Sequence, residues 1–242
     1  MKKISLISVY NNNALIDEMK KGAETQKNVD VEYILIDNTK NEFDSAAKAL
    51  NYGAGKATGD VLVFLHQDIE FVSDNALEYV WDFADKNQDS VFGTAGVVMR
   101  GEEDRGLLAN FYHGPSKVKA STITEPHKAF TLDECFIACH KKVFDHIKFD
   151  EKTCDGWHLY GADLCLQAQA FANMKVYAIP LDIWHKSNGN ADKSYLDCQN
   201  KVGKKYRKHF KVINTTNGWV YTNSLLRLIQ NIHRRLRYRE LY

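Results

Sequence analysis

Val61-Leu62-Val63-Phe64-Leu65-His66-Gln67-Asp68 is an unbroken apolar run that ends in three polar residues, the last of them a carboxylate. A strand apolar at consecutive positions is buried on both faces, as in a parallel sheet covered by helices. In open α/β sheets, ligands bind just beyond the carboxyl ends of such strands. The run therefore predicts an α/β fold and presents Asp68 where a substrate would sit. An aspartate there is an oxygen ligand for a hard divalent cation, which could in turn hold a diphosphate. Taken alone, the same H-x-D is also an ordinary strand-end turn, so the neighbouring segments must decide.

Working outward, short apolar runs at 4–9, 31–36, 91–99, 130–138 and 175–179 alternate with segments of helical period at 14–26, 44–56, 74–86, 141–147 and 159–172. Strands alternating with helices predict βαβ units and a mainly parallel sheet. Asp44 or the residues just before it are the expected cap of the second helix. Asp37 ends the second strand as Asp68 ends the third. Residues 100–128 carry glycines, charges and His113-Gly114-Pro115 with little periodicity, and read as one long functional loop.

The 242 residues, 44% apolar, suffice for one large α/β domain. The expected division is a body over 1–190 and a C-terminal extension over 191–242. No apolar run is long enough to span a bilayer and no signal peptide is read at the start. Cys135, Cys139, Cys154, Cys165 and Cys198 contain no C-x-x-C pair, which suggests reduced thiols in the core of a cytoplasmic protein. The net charge of +1 hides an asymmetry. Residues 1–197 hold 21 Lys or Arg against 30 acids, whereas the remainder holds 11 against the single Glu240.

The order of these parts resembles the family-2 glycosyltransferases of the GT-A fold over roughly residues 4–190. The resemblance rests on Ser8-Val9-Tyr10, Asp37, Asn51-Tyr52-Gly53, His66-Gln67-Asp68 and Tyr160-Gly161-Ala162-Asp163-Leu164-Cys165-Leu166, in the family's order. It implies a single GT-A (Rossmann-like) α/β domain with a basic helical extension. It further implies an inverting transferase that moves a sugar from a nucleoside-diphosphate donor, a UDP-sugar first among them, to a hydroxyl of a glycan or lipid-linked acceptor, as in polysaccharide biosynthesis. Val9, Tyr10, Asp37, Asn51, His66 and Gln67 would line the nucleotide. Asp68 would hold the metal with His185 as a second ligand, and Asp163 would be the catalytic base. For His185 a surface or core histidine is the alternative, and for Asp163 a carboxylate stabilising a helix N-terminus.

The chemistry accounts for these residue types. A sugar hydroxyl is a weak nucleophile until a carboxylate within hydrogen-bond reach takes its proton. The departing diphosphate gains charge, which a cation offsets in a water-poor site. Mixed oxygen and imidazole ligation favours Mn²⁺ over Mg²⁺. Acceptor recognition would fall to the long loop and to Asp155-Gly156-Trp157-His158, with Glu134 nearby, because sugar rings stack on aromatics while their hydroxyls need polar partners; Trp157 equally reads as a core plug and Glu134 as a cap. The chain departs from the family pattern at His66 (first position of D-x-D), at Leu50 (Arg in many relatives) and at Ala162 (Glu of a Glu-Asp pair).

In the tail, Leu225, Leu228, Ile229, Ile232 and Leu236 recur at helical spacing, flanked by Arg227, Arg234, Arg235, Arg237 and Arg239. Such a helix either lies on an anionic membrane, at its inner face, or packs its stripe on the domain or on the second subunit of a homodimer. Other classes fit less well. The turn after strand one is Tyr10-Asn11-Asn12-Asn13, without the glycines of a dinucleotide site. Gly53–Gly59 precedes a strand and lacks G-K-[ST]. No base-reading motif points to nucleic acid. A non-catalytic nucleotide-sugar-binding module, or a zinc-dependent hydrolase using His66, Asp68, His158 and His185, stand as alternatives.

Overall fold

The computed structural model describes residues 2–99, 106–188 and 192–237, with side chains of the last helix described through 234. The chain begins β1 (Lys3–Tyr10), α1 (Asn13–Glu24), β2 (Asp30–Asp37), α2 (Ala46–Ala54), β3 (Val61–Leu65), β4 (Ile69–Phe71) and α3 (Ala76–Lys86). It continues through β5 (Ser90–Gly93), β6 (Ala95–Val97), β7 (Leu107–His113), β8 (Val118–Ser121), β9 (His127–Lys128), β10 (Thr131–Leu132) and β11 (Phe136–His140). Then come α4 (Lys141–His146), α5 (Tyr160–Phe171), β12 (Lys175–Ala178), β13 (Ile183–His185), α6 (Lys193–Lys205), β14 (Val212–Thr215), β15 (Gly218–Tyr221) and α7 (Ser224–Arg237).

The central sheet has the order β2-β1-β3-β11-β5-β12-β9. Strands β2, β1, β3, β5 and β12 run one way, and β11 and β9 oppose them. All five positions of β3 are buried, as its unbroken apolar run requires. Helices α1 and α3 cover one face of the sheet, while α2, α4 and α5 cover the other. Asn12 caps α1 by accepting from the N–H of Ala14 and Leu15, and Ser45, not Asp44, caps α2. Helix α2 lies close on the sheet because Gly53 has no side chain: a Cβ there would stand 2.7 Å from Ile7 and 2.8 Å from Ile36.

Two expected strands are each broken in two. The segment 91–99 leaves the central sheet at Thr94 to become β6, and 130–138 splits into β10 and β11 around Asp133-Glu134-Cys135. The breaks lie side by side, with the Asp133 N–H donating to Ala95 O at 2.9 Å. A second sheet, β10-β6-β7-β13-β4, with β8 beside β7, grows from them. The described part of the long loop expected over 100–128 instead holds three strands: β7 and β8 form an antiparallel hairpin and β9 edges the central sheet. Residues 100–105 of that segment lie outside the described residues. Its irregular polarity reflects a half-exposed sheet, whose alternation Gly114 and Pro115 interrupt at the turn.

After β13 the chain returns to the body. Tyr195, Cys198, Val202 and Tyr206, with Ile213 and Val220 of the β14–β15 hairpin, join the cluster that holds Leu164, Cys165 and Ala168 of α5. The C-terminal extension thus contains a hairpin as well as helices. All five cysteines are buried, and no helix among the described residues is long and apolar enough to cross a membrane.

Candidate active site

The polar tip of β3 is fixed by register. Strand β4 pairs antiparallel with β13 so that Ile69 stands opposite His185, and this pairing brings His185 beside Asp68 and beside His66, 119 residues earlier in the chain. His66 Nδ1 lies 3.3 Å from His185 Nε2, and His185 Nε2 lies 3.5 Å from Asp68 Oδ1. The ligand atoms of His66, Asp68 and His185 all fall within 4.8 Å of one another. Ligands at about 2 Å from a metal stand roughly 3–4 Å apart, so this donor set fits one divalent ion.

The surroundings reinforce that fit. His66 Nε2 is 3.1 Å from the Tyr160 hydroxyl, whose oxygen can accept a hydrogen bond from Nε2–H and so leave Nδ1 free as a ligand. Burial, and then His185, push His66 down to about 4, so its imidazole is neutral at ordinary pH. Burial alone would raise Asp68. His185 and Ser187 outweigh it and hold the carboxyl well below the usual range, so the group is an anion; the Ser187 N–H donates to Asp68 Oδ2 at 3.1 Å.

Two clefts meet at this cluster. The first, about 500 Å³, runs from Val9, Tyr10 and Asn11 past Asn38 and Asn41 to His66, Gln67 and Asp68. The second, about 320 Å³, is lined by Phe111, His113, Asp133, Glu134, His158 and His185, with Thr216 and Asn217 of the β14–β15 turn. His66, Trp157 and Ser187 line both. The candidate cation position thus lies where the two clefts adjoin.

Comparison with known proteins agrees. A sequence profile of glycosyl transferase family 2 matches residues 7–148, more than half of the chain. The chain belongs to glycosyl transferase family 2. A curated relative described as "ATP synthase subunits region ORF 6", from Fuscovulum blasticum, is 26% identical over 176 residues, 68% of each chain. Among solved structures, GalNAc-T7 with UDP, GalNAc and Mn²⁺ superposes with TM-score 0.59 at 13% identity, over 84% of this chain and 48% of that one. S. aureus TarS gives 0.56 at 15%, over 86% and 40%. The mannosyltransferase PcManGT of Pyrobaculum calidifontis, with GDP-Man and Mn²⁺, gives 0.52 at 12%, over 86% and 62%. This chain spans half or less of the first two, and at such identities the likeness is one of fold.

Of the site residues expected in this family-2 transferase, Val9, Tyr10, Gln67 and Asp68 line the first cleft, His66 and Trp157 both, and Glu134, His158 and His185 the second. Trp157 is 45% exposed, which excludes a core plug. Gln67 has its side chain occupied: Oε1 accepts from the N–H of Asn11 and Asn12, and Nε2 donates to Asn11. It holds the β1–α1 turn in place. Asp37 is exposed at the end of β2, opposite Tyr10 in register, and accepts from the Thr39 N–H. The neighbouring Asn38 and Asn41 line the cleft in its stead. His158 stands apart from the cation cluster, 3.4 Å from Asp192.

Two expectations require correction. Asn51 lines neither cleft; its amide donates to Phe149 O and Glu151 and accepts from the Phe149 N–H, pinning the segment before α5. Asn-x-Gly is here a packing device, with Asn51 holding a loop and Gly53 letting α2 approach the sheet. Asp163 is fully buried. Its carboxylate accepts from Lys205 at 2.7 and 2.9 Å, from Tyr206 at 2.9 Å and from Gln167 at 2.8 Å. A base must reach the substrate's proton, and this one is closed off by α6.

Glu134, expected on the acceptor side, lines the second cleft together with Asp133. It sits in the break between β10 and β11, beside the N-terminus of α5, and Gly161 makes room for it: a Cβ on residue 161 would stand 3.2 Å from Glu134 Cγ. Its Oε1 is buried without a hydrogen-bond partner. Burial first, and Asp133 second, push its carboxyl up to about 8, against the backbone amides of Gly161 and Ala162, which favour the anion. Tyr160, Cys165, Cys135 and Tyr195 also face it and feel its charge. Leu159, just before α5, adopts the left-handed backbone at φ 61°, an arrangement that costs about 1–3 kcal/mol in a bulky residue. That turn directs Trp157 and His158 into the clefts. The β14–β15 turn at Thr216 was missed in the sequence, although Asn217-Gly218 between apolar pairs is a hairpin signal.

Proposed function

We propose that this transferase moves a sugar from a nucleoside-diphosphate sugar, UDP-sugars first among them, to a hydroxyl of a glycan or lipid-linked acceptor with inversion at the anomeric carbon. The observation that carries the reading is the His66–Asp68–His185 cluster at the junction of two clefts in a family-2 chain. Val9, Tyr10, Asn38 and Asn41 line a donor cleft that runs to the cluster, and the second cleft takes the acceptor. The related folds named with UDP and Mn²⁺, with UDP-GlcNAc and with GDP-Man and Mn²⁺ support this donor class. Two imidazoles and one carboxylate suit Mn²⁺ better than Mg²⁺. A cation on His66, Asp68 and His185 would supply charge to offset the leaving diphosphate.

The chain's own groups do the rest. Trp157, shared by both clefts, offers an aromatic face for a sugar ring. Glu134 takes the acceptor O–H proton as that oxygen bonds to the anomeric carbon. The bond from carbon to the diphosphate oxygen breaks at the same time, and its electron pair leaves with the nucleotide. A single displacement of this kind inverts the anomeric carbon. Nucleotide sugars and buried reduced thiols fit a cytoplasmic setting.

The test is turnover. Purified protein is incubated with a panel of UDP- and GDP-sugars with Mn²⁺ or Mg²⁺, and release of nucleoside diphosphate is followed with water or mixed glycans as acceptor. One donor should be consumed in a cation-dependent way, and Asp68→Ala should lower the rate at least ~100-fold, as expected when a group offsetting transition-state charge is removed. Turnover that is equal in Asp68→Ala or insensitive to chelator would refute the cation site.

A further inference from the structure

Helix α7 is packed inside out. Arg227, Gln230, Asn231 and Arg234 recur at the spacing of one helix face, and that polar face is the one turned to the protein. Arg227 donates to Thr222 O at 2.7 Å, Gln230 to Trp219 O at 3.0 Å, Asn231 to Asn200 at 2.9 Å and Arg234 to the buried Gln199 at 2.6 Å. The opposite face carries Leu225, Leu226, Leu228, Ile229 and Ile232, exposed by 66%, 44%, 56%, 55% and 52%. The usual amphipathic helix of a globular protein does the reverse, burying its apolar stripe and leaving its cations in water. Leu236, Arg235, Arg237 and Arg239 of the same sequence stripe lie outside the described side chains.

A contiguous apolar patch rimmed by polar groups marks a surface meant to be covered, and its charge indicates by what. The segment after Asp197 has eleven Lys or Arg and one acid. Lys204, Arg207, Lys208 and Lys211 are exposed on the end of α6 and just beyond it, and Arg207 is near enough to Arg227 to depress its pKa, although burial is the larger cause. Two copies joined face to face through α7 would bring these like charges together. An anionic lipid surface would neutralise them while its acyl boundary takes up the leucines and isoleucines.

We propose that α7 is a peripheral membrane anchor, its apolar face set into the interface of an anionic leaflet and its polar face fastened to the β14–β15 hairpin and α6. This is independent of the reaction assigned to the clefts, since none of the described α7 side chains lines either one. A surface-held enzyme of this kind would meet a lipid-linked acceptor in two dimensions. Because Leu228 and Ile232 already face solvent, Leu228→Glu/Ile232→Glu should fold as the parent does, which circular dichroism and thermal melting verify.

Co-sedimentation of the full chain with vesicles of phosphatidylcholine alone, or with about one third phosphatidylglycerol, tests it. Wild type should partition onto the anionic vesicles at least about tenfold better than onto the neutral ones, and added salt should weaken that binding. The double variant should lose binding about tenfold or more. Equal binding of wild type and variant, or no binding to either vesicle, would overturn the anchor. So would a concentration-dependent dimer in analytical ultracentrifugation that the same substitutions dissolve, since a second copy would then be what covers the face.

Discussion

Glu134→Gln is expected to lower kcat by about 10²–10⁴-fold, the usual contribution of a positioned general base, while leaving nucleoside-diphosphate binding unchanged. The expectation rests on the place of Glu134 in the wall of the second cleft, next to His66 and His185 in its lining. Glutamine keeps the shape and removes the proton acceptor. A second readout separates catalysis from packing. Burial and Asp133 raise the group from 4.5 to about 8 in the folded protein, so the fold prefers its protonated form. The stability that this preference contributes is complete below about 4.5 and is lost as pH rises to about 8. Glu134→Gln should therefore melt above wild type at pH 8.5, with the gap closing by pH 5. In activity, wild-type kcat should rise with pH where Glu134 gives up its proton, and the variant should lose that limb. A variant with kcat within tenfold of wild type would remove Glu134 from the chemistry.

Asp163→Asn, by contrast, should damage the fold more than the reaction. The carboxylate is buried against Lys205, Tyr206 and Gln167, and it joins α5 to α6 across the body. Breaking a buried pair from one side costs about 3–5 kcal/mol because the partner charge is left behind. Lys205 retains Asp150 at 2.8 Å, so the lower end, about 3 kcal/mol, is expected. For a chain of this size that is roughly 6–12 °C in Tm. Assayed well below its melting temperature, the variant should keep turnover within tenfold of wild type. A wild-type Tm combined with a hundredfold loss of kcat would return the base to Asp163.

These two acids show what the sequence could and could not convey. The apolar run of β3 and the alternation of strands and helices disclosed an α/β sheet, because burial on both faces leaves its mark residue by residue. Asp68 and His185 were readable as candidate ligands from the family resemblance, whereas His66, expected on the nucleotide, joins them through the placing of β13 beside the tip of β3. Partners across the chain were not. Nothing local to Asp163 announces that Lys205, 42 residues later, closes over it. The break that turns Glu134 toward the second cleft depends on two strands changing sheet together, which no periodicity within 130–138 records. Asn51 and Gln67 were placed in the right neighbourhood, yet their amides are spent on the backbone of adjoining loops. The α7 stripe was visible as a stripe, but its direction depended on carbonyls of the preceding hairpin that accept from Arg227 and Gln230.

The central claim is that the first cleft binds a nucleoside diphosphate through a cation held by His66, Asp68 and His185. Thermal melting of wild type and His185→Ala with UDP or GDP, each with and without Mn²⁺, tests it most directly. A ligand at ~100 times its Kd stabilises by about 2.7 kcal/mol, roughly 5–10 °C here. One nucleotide should give that shift with wild type only when Mn²⁺ is present, and His185→Ala should abolish it. No shift with either nucleotide, or the same shift without the cation and in His185→Ala, would contradict the claim.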